Sequence, residues 1–254
     1  MGANTNVQDK ANPIHLNKDV IFDLLDEVES EEALWDLMFQ YFQGFGMSDM
    51  GYHHLYPLGS YDYDKKAFVC RGRNQDIVKN YTDETLEHAK SLIVKIRALA
   101  EPISFSEFRD AENLTSHHLK VMQDLYFNYT SHGFILPLHG ALGRSGCFVL
   151  GFEGPSREYS KNDIRCLHWV GLAAHRTYCR LTELTGRRVK GLSKREREVL
   201  SWVARGKSNS VIADIIGISP HTVNGYLRSI YLKTGTSDRT TATLRGISEA
   251  LIDF

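Results

Sequence analysis

The stretch SNSVIADIIGISPHTVNGYLRSIYLKTG, residues 208–235, leaves few folds open. Ser219-Pro220 supplies a helix N-cap and a proline at the first helical position, where its fixed φ suits the helix and its missing N–H costs nothing. Ahead of it, Ser208 caps a shorter helix that Gly217 ends, because glycine takes up the left-handed conformation in which helices close. Two helices thus meet across Gly217, Ile218 and Ser219. In the second, Val223, Leu227 and Ile230 recur at i, i+4 and i+7 and form one apolar face. The other side carries His221, Asn224, Gly225 and Arg228.

Upstream, Ser193 and Glu196 make an S-x-x-E capping box, and Val199, Leu200, Val203 and Ala204 continue a helix as far as Gly206. In the short helix, Val211, Ile212, Ile215 and Ile216 are expected to pack inward. From Arg187 onward there are 12 Lys+Arg against 6 Asp+Glu, whereas residues 1–186 hold 18 against 25. A basic helical module beside an acidic body fits phosphate binding, since Lys and Arg displace counterions condensed on a duplex. Helix, tight glycine turn, helix is the arrangement that places a second helix in the major groove of double-stranded DNA. Arg228 then pairs bidentately with guanine and Asn224 with adenine, while Thr222, Tyr226 and the first helix amides meet phosphates. Gly225, on the outward face, lets backbone approach the groove.

Residues 1–17 read as a flexible arm. Two helical patterns follow, one through Val20, Ile21, Leu24, Leu25 and Val28, the other, capped by Ser30, through Leu34, Leu37, Met38, Tyr41 and Phe42. GYHHLYP (51–57) and AFVCR (67–71) predict a hairpin, as do FILPLHG (134–140) and CFVLGFEG (147–154) around GALGRSG. A long helix is expected over 76–100, a brief strand over 103–105, and helices over 116–129 and 160–184. The fold class is therefore α/β: an α-β-α sandwich with an antiparallel sheet over 18–180, a linker at 181–191, and a small all-α four-helix unit over 192–254.

The segment LSKREREVLSWVARGKSNSVIADIIGISPHTVNGYLRSIYLKTGTSDRTTAT, 192–243, closely resembles the LuxR-type (GerE-like) DNA-binding domain. That pattern runs L-T-x-R-E-x-E-V-L, A-x-G-x-S-N-x-x-I-A, I-S-x-x-T-V-x-x-H, K-x-G and N-R-T-x-A. Here Ser193 stands for its Thr, Tyr226 for its frequent His, and Ser237-Asp238-Arg239 for its x-N-R. The resemblance implies a fourth helix over about Asp238 to Leu251 that helps dimerisation. It also implies base-edge contacts from Asn224 and Arg228, and backbone contacts from Lys207, Thr222 and Tyr226.

Gly133 before F-I-L-P-L-H-G, the G-A-L-G-R-S-G turn and CFVLGF resemble the autoinducer-binding domain of LuxR-type quorum-sensing regulators. The resemblance implies an acyl-homoserine lactone held between sheet and helices by a Trp, two Tyr, an Asp and a second aromatic. Aligned back from Gly133, Phe105 falls at the second aromatic and Tyr81 at one tyrosine, but Ile77 stands where the Trp belongs and Lys90-Ser91 where Asp-Pro does. Lysine has three donors and no acceptor, so the usual bond from the ligand amide cannot form. Three readings stay open: Lys90 turns to solvent and nothing binds, the lactone takes another pose, or a different ligand places a carboxylate, phenol or keto oxygen against Lys90 or Arg73. Tyr52, Tyr56, Tyr61, Tyr63 and Phe148 offer aromatic walls.

No window approaches 18 consecutive apolar residues and the start lacks a secretory apolar core, so neither a membrane span nor export is expected and the location is cytoplasmic. Cys70, Cys147, Cys166 and Cys179 form no CxxC pair and read as reduced buried thiols. His53-His54, His117-His118, His168 and His175 lack metal-ligand spacing, and no nucleophile, base and oxyanion set emerges. The expectation is a regulator, not an enzyme, with no cofactor or metal, that binds DNA as a homodimer in response to a small amphipathic signal. Independence from any ligand, or heterodimerisation with a ligand-binding homologue that keeps the latter from DNA, is the alternative.

Overall fold

The computed structural model describes residues 18–60, 68–72, 92, 95–111, 114–123, 130, 132–154, 158–185 and 191–252. Contacts divide the chain into one unit of residues 1–53, 68–138 and 146–178 and a second of residues 54–67, 139–145 and 179–254.

The first unit opens with α1 (Lys18–Glu27) and α2 (Glu31–Gly44). Ser30 caps α2, its hydroxyl accepting from the Ala33 amide at 3.2 Å. Ile21, Leu25 and Val28 are buried, whereas Val20, expected on the same face, is 44% exposed. Strands β1 (Asp49–Leu55) and β2 (Phe68–Gly72) pair antiparallel with Tyr52 opposite Val69. They form the predicted hairpin. The second hairpin is β4 (His132–His139) and β5 (Ser145–Phe152), and the five-stranded antiparallel sheet runs β2-β1-β5-β4-β3.

Strand β3 (Ile103–Ser104) stops one residue short of expectation, and Phe105 instead opens helix α3 (Phe105–Arg109). A capping box causes this: Ser104 Oγ accepts from the Glu107 amide at 3.2 Å, and Glu107 Oε2 accepts from the Ser104 amide at 2.9 Å. Thr115 and His118 cap α4 (Ser116–Met122) reciprocally. The long helix α5 (Lys161–Thr185) starts where Ser160 Oγ accepts from the Asp163 amide at 3.1 Å. Most of the expected helix over 76–100 lies outside the described residues, with Leu92 and Ile96 buried among those described.

The core of this unit is aromatic. Trp35 of α2 lies 4.5 Å from Tyr52 and 5.2 Å from Tyr178 between ring centroids, and Phe148 lies 5.1 Å from Tyr52. Such tilted and edge contacts contribute beyond the area they bury. Within the cluster the Tyr52 hydroxyl is 2.8 Å from Nδ1 of the fully buried His175. Burial likewise raises the Cys147 thiol pKa to about 12. Gly133 sits in β4 where a side chain would overlap the Leu150 carbonyl and the Phe105 ring.

The C-terminal residues form four helices: α6 (Lys194–Ala204), α7 (Asn209–Ile216), α8 (Pro220–Thr234) and α9 (Arg239–Ser248). Val199, Leu200, Ile212, Val223, Ile230 and Ala242 are at most 1% exposed and make their shared core. Gly217 and Gly235 end α7 and α8 in the left-handed region, with φ of 70° and 64°. Val211 and Ile215, expected to point inward, are 41% and 45% exposed. An eight-residue helix offers the core one narrow stripe, and Ile212, Ala213 and the half-buried Ile216 occupy it. No helix among the described residues is long and apolar enough to cross a membrane.

Candidate nucleic-acid interface

Ser219 Oγ accepts from the Thr222 amide at 3.0 Å and caps α8, which starts at Pro220. From that start the helical period settles which residues face the core. Val223, Leu227 and Ile230 are at most 6% exposed, while His221, Thr222, Asn224, Gly225 and Arg228 are all exposed. A methyl group on Gly225 would meet nothing within 4 Å, so that side of the helix is open. Tyr226 is half-buried against the core edge, and with Glu196, His221, Thr222, Gly225 and Ser229 it lines a groove beside α8. Lys207 is exposed between α6 and α7, its carbonyl accepting from Arg239 at 2.7 Å.

Two groups that the sequence reading did not single out as site residues support this face. Asn209, the first residue of α7, donates from Nδ2 to Asn224 Oδ1 at 2.6 Å, bridging the two helices of the motif. Glu196 goes beyond its capping box. It is 4% exposed, and it accepts from the Ser193 amide, the Ser229 hydroxyl and the Lys233 ammonium, each at 2.6 Å. Burial raises its pKa, but the bonds from Lys233, Ser229 and Ser193 together outweigh that and hold it at about 2. The carboxylate thus ties the start of α6 to the C-terminal half of α8 and fixes the tilt of the outward face. Only the S-x-x-E spacing was visible in sequence, because Lys233 lies 37 residues away.

Of the candidate ligand residues, Phe105 is 1% exposed at the start of α3 and faces Gly133. Tyr56 is half-buried after β1, its ring 4.3 Å from that of His54. Tyr52 and Phe148 belong to the packed aromatic core. Tyr63, Arg73, Ile77, Tyr81 and Lys90 lie outside the described residues.

Residues 190–245 match the family model for bacterial regulatory proteins of the luxR family, and residues 30–178 match that for the autoinducer-binding domain. A putative HTH-type transcriptional regulator of Sinorhizobium fredii, y4qH, is 28% identical over 244 residues, 92% of this chain and 72% of its own length. The transcriptional activator BjaR1 of Bradyrhizobium diazoefficiens is also 28% identical, over 68% of this chain and 71% of its own. Among solved structures, Escherichia coli SdiA superposes with a TM-score of 0.68 at 15% identity, covering 92% of this chain and 97% of that one, a likeness of fold. The chain belongs to the LuxR-type quorum-sensing transcriptional regulators, which join an autoinducer-binding domain to a luxR-family DNA-binding domain.

Proposed function

We propose that this protein is a cytoplasmic regulator that reads duplex DNA as a homodimer through the outward face of α8, in response to a small amphipathic signal taken up by its N-terminal domain. The exposure of His221, Thr222, Asn224, Gly225 and Arg228 opposite a buried Val223, Leu227 and Ile230 carries the reading. Arg228 and Asn224 supply the base-edge contacts. Lys207, Thr222 and Tyr226 supply phosphate contacts, and Gly225 lets the helix approach closely. Phe105, Tyr56, Tyr63, Ile77, Tyr81, Lys90 and Arg73 are the candidates for recognising the signal, Phe105, Ile77, Tyr81 and Lys90 by their place in the family resemblance. Lys90 stands where the resemblance puts a carboxylate and offers donors but no acceptor, so a signal with an acceptor oxygen suits this sequence better than the standard lactone pose. We place the sensory domain at residues 18–180, the linker at 181–191 and the DNA-binding domain at 192–254.

A ligand that binds only the folded, dimer-competent state stabilises that state by about 2.7 kcal/mol at a hundredfold excess over Kd, enough to shift the population on DNA by about two orders of magnitude. The test is selection from a random-sequence duplex library by the full chain, prepared with and without cell lipid extract. We expect an inverted-repeat site to be enriched, and far more strongly with extract. Failure to enrich any sequence would overturn the DNA reading, and equal enrichment by both preparations would overturn the dependence on a signal.

A further inference from the structure

We infer that Asn209 is a specificity-determining positioning residue: through its bond to Asn224 it fixes which edge of that side chain's amide faces the DNA bases. The inference rests on the proposed role of α8. An asparagine amide carries an acceptor on one arm and two donors on the other, and an exposed one turns over freely. In this protein it is held. Asn209 Nδ2 donates to Asn224 Oδ1 at 2.6 Å, across the turn between α7 and α8 and 15 residues apart in sequence. The other arm of Asn209, Oδ1, is buried with no hydrogen-bond partner among the described residues. That acceptor therefore has no route to a base, and the outward-reaching member of the pair is Asn224, which is exposed.

With its oxygen turned toward Asn209, Asn224 presents N–H donors to the groove. In the major groove these match N7 and O6 of guanine, N7 of adenine and O4 of thymine, while cytosine offers only the N4 donor. The chemical consequence is discrimination against cytosine at one position of each half-site. Asn209 does this without touching a base. Neither asparagine is a core residue, since Asn209 is half-buried and Asn224 exposed, so the pair is dispensable for packing.

Parallel selections from a random-sequence duplex library, with the full chain as wild type, Asn209→Ala and Asn209→Asp, test this. Asn209→Ala frees the amide, and the exclusion of cytosine at that position should weaken about fivefold or more with the other positions unchanged. Asn209→Asp can only accept, so it should draw the Asn224 nitrogen inward, turn the oxygen outward and favour bases that donate, cytosine N4 and adenine N6. Because preferences are ratios within each pool, a loss of affinity common to all sequences does not enter. Base frequencies identical in wild type and Asn209→Ala, or a uniform loss of preference at every position in Asn209→Asp, would overturn the inference. Absence of any enriched sequence with wild type would instead remove the DNA-reading role on which it rests.

Discussion

Replacing Glu196 with alanine is expected to lower the stability of the C-terminal helices by about 3 kcal/mol, because the change strands Lys233 and Ser229 beside a cavity and opens the α6 cap. The three bonds at 2.6 Å converge on a side chain only 5% exposed, so solvent screening offsets little of the loss. The acid side of the pH profile should carry a second signature of the same carboxylate. The folded carboxyl titrates at about 2 against an ordinary 4.5, and a depressed value means stability fully present above the ordinary pKa and lost as pH falls toward 2. That difference corresponds to roughly 3 kcal/mol. Hydrogen exchange by mass spectrometry over residues 194–234 reads the local free energy. Wild type should lose protection between pH 5 and 2, and Glu196→Gln should lack this component. Protection in Glu196→Ala within about 0.5 kcal/mol of wild type at pH 7 would show that the buried pair is not what holds α6 to α8.

Arg228→Ala should cost about 1 to 3 kcal/mol on a selected duplex and almost nothing on random DNA, relaxing preference at one base position. The arginine is exposed and its helix is anchored from the opposite side, so the loss is one of recognition and not of fold. Lys207→Ala should differ in kind. A phosphate contact carries no sequence information, so affinity falls alike for selected and random duplexes and the slope of log K against log salt becomes shallower by about 1. Isotherms at two salt concentrations separate the two behaviours. Equal losses on selected and random DNA for both variants would contradict the division of labour between these side chains.

Most of the C-terminal unit was legible because its signals are local. Ser193, Ser208 and Ser219 each cap the helix expected of them, Gly217 ends α7, and Val223, Leu227 and Ile230 are buried as their period requires. Asp238 caps α9, accepting from the amides of Thr240 and Thr241 at 2.9 Å. What sequence did not reveal depends on distance in space. The Asn209 to Asn224 bond and the reach of Lys233 to Glu196 join residues on different helices, and no periodicity encodes them. Four apolar residues on α7 promised a wider buried face than eight residues can present, which left Val211 and Ile215 outside. Phe105 read as strand because its β-propensity outweighed a capping box that starts a helix of only five residues. In the sensory unit, Tyr52 and Phe148 fit the core more readily than a pocket wall from sequence without settling it, and Trp35 and Tyr178, which pack on Tyr52, decide for core.

The outward face of α8 in the major groove is the point on which the functional account turns, and methylation interference examines it atom by atom. Dimethyl sulfate marks guanine N7 in the major groove and adenine N3 in the minor groove, and bound and free duplexes are then compared. The bound fraction should be depleted of guanine N7 methylation within each half-site, with one of those positions becoming indifferent in Arg228→Ala. Depletion confined to adenine N3, or an unaltered pattern in the variant, would contradict it.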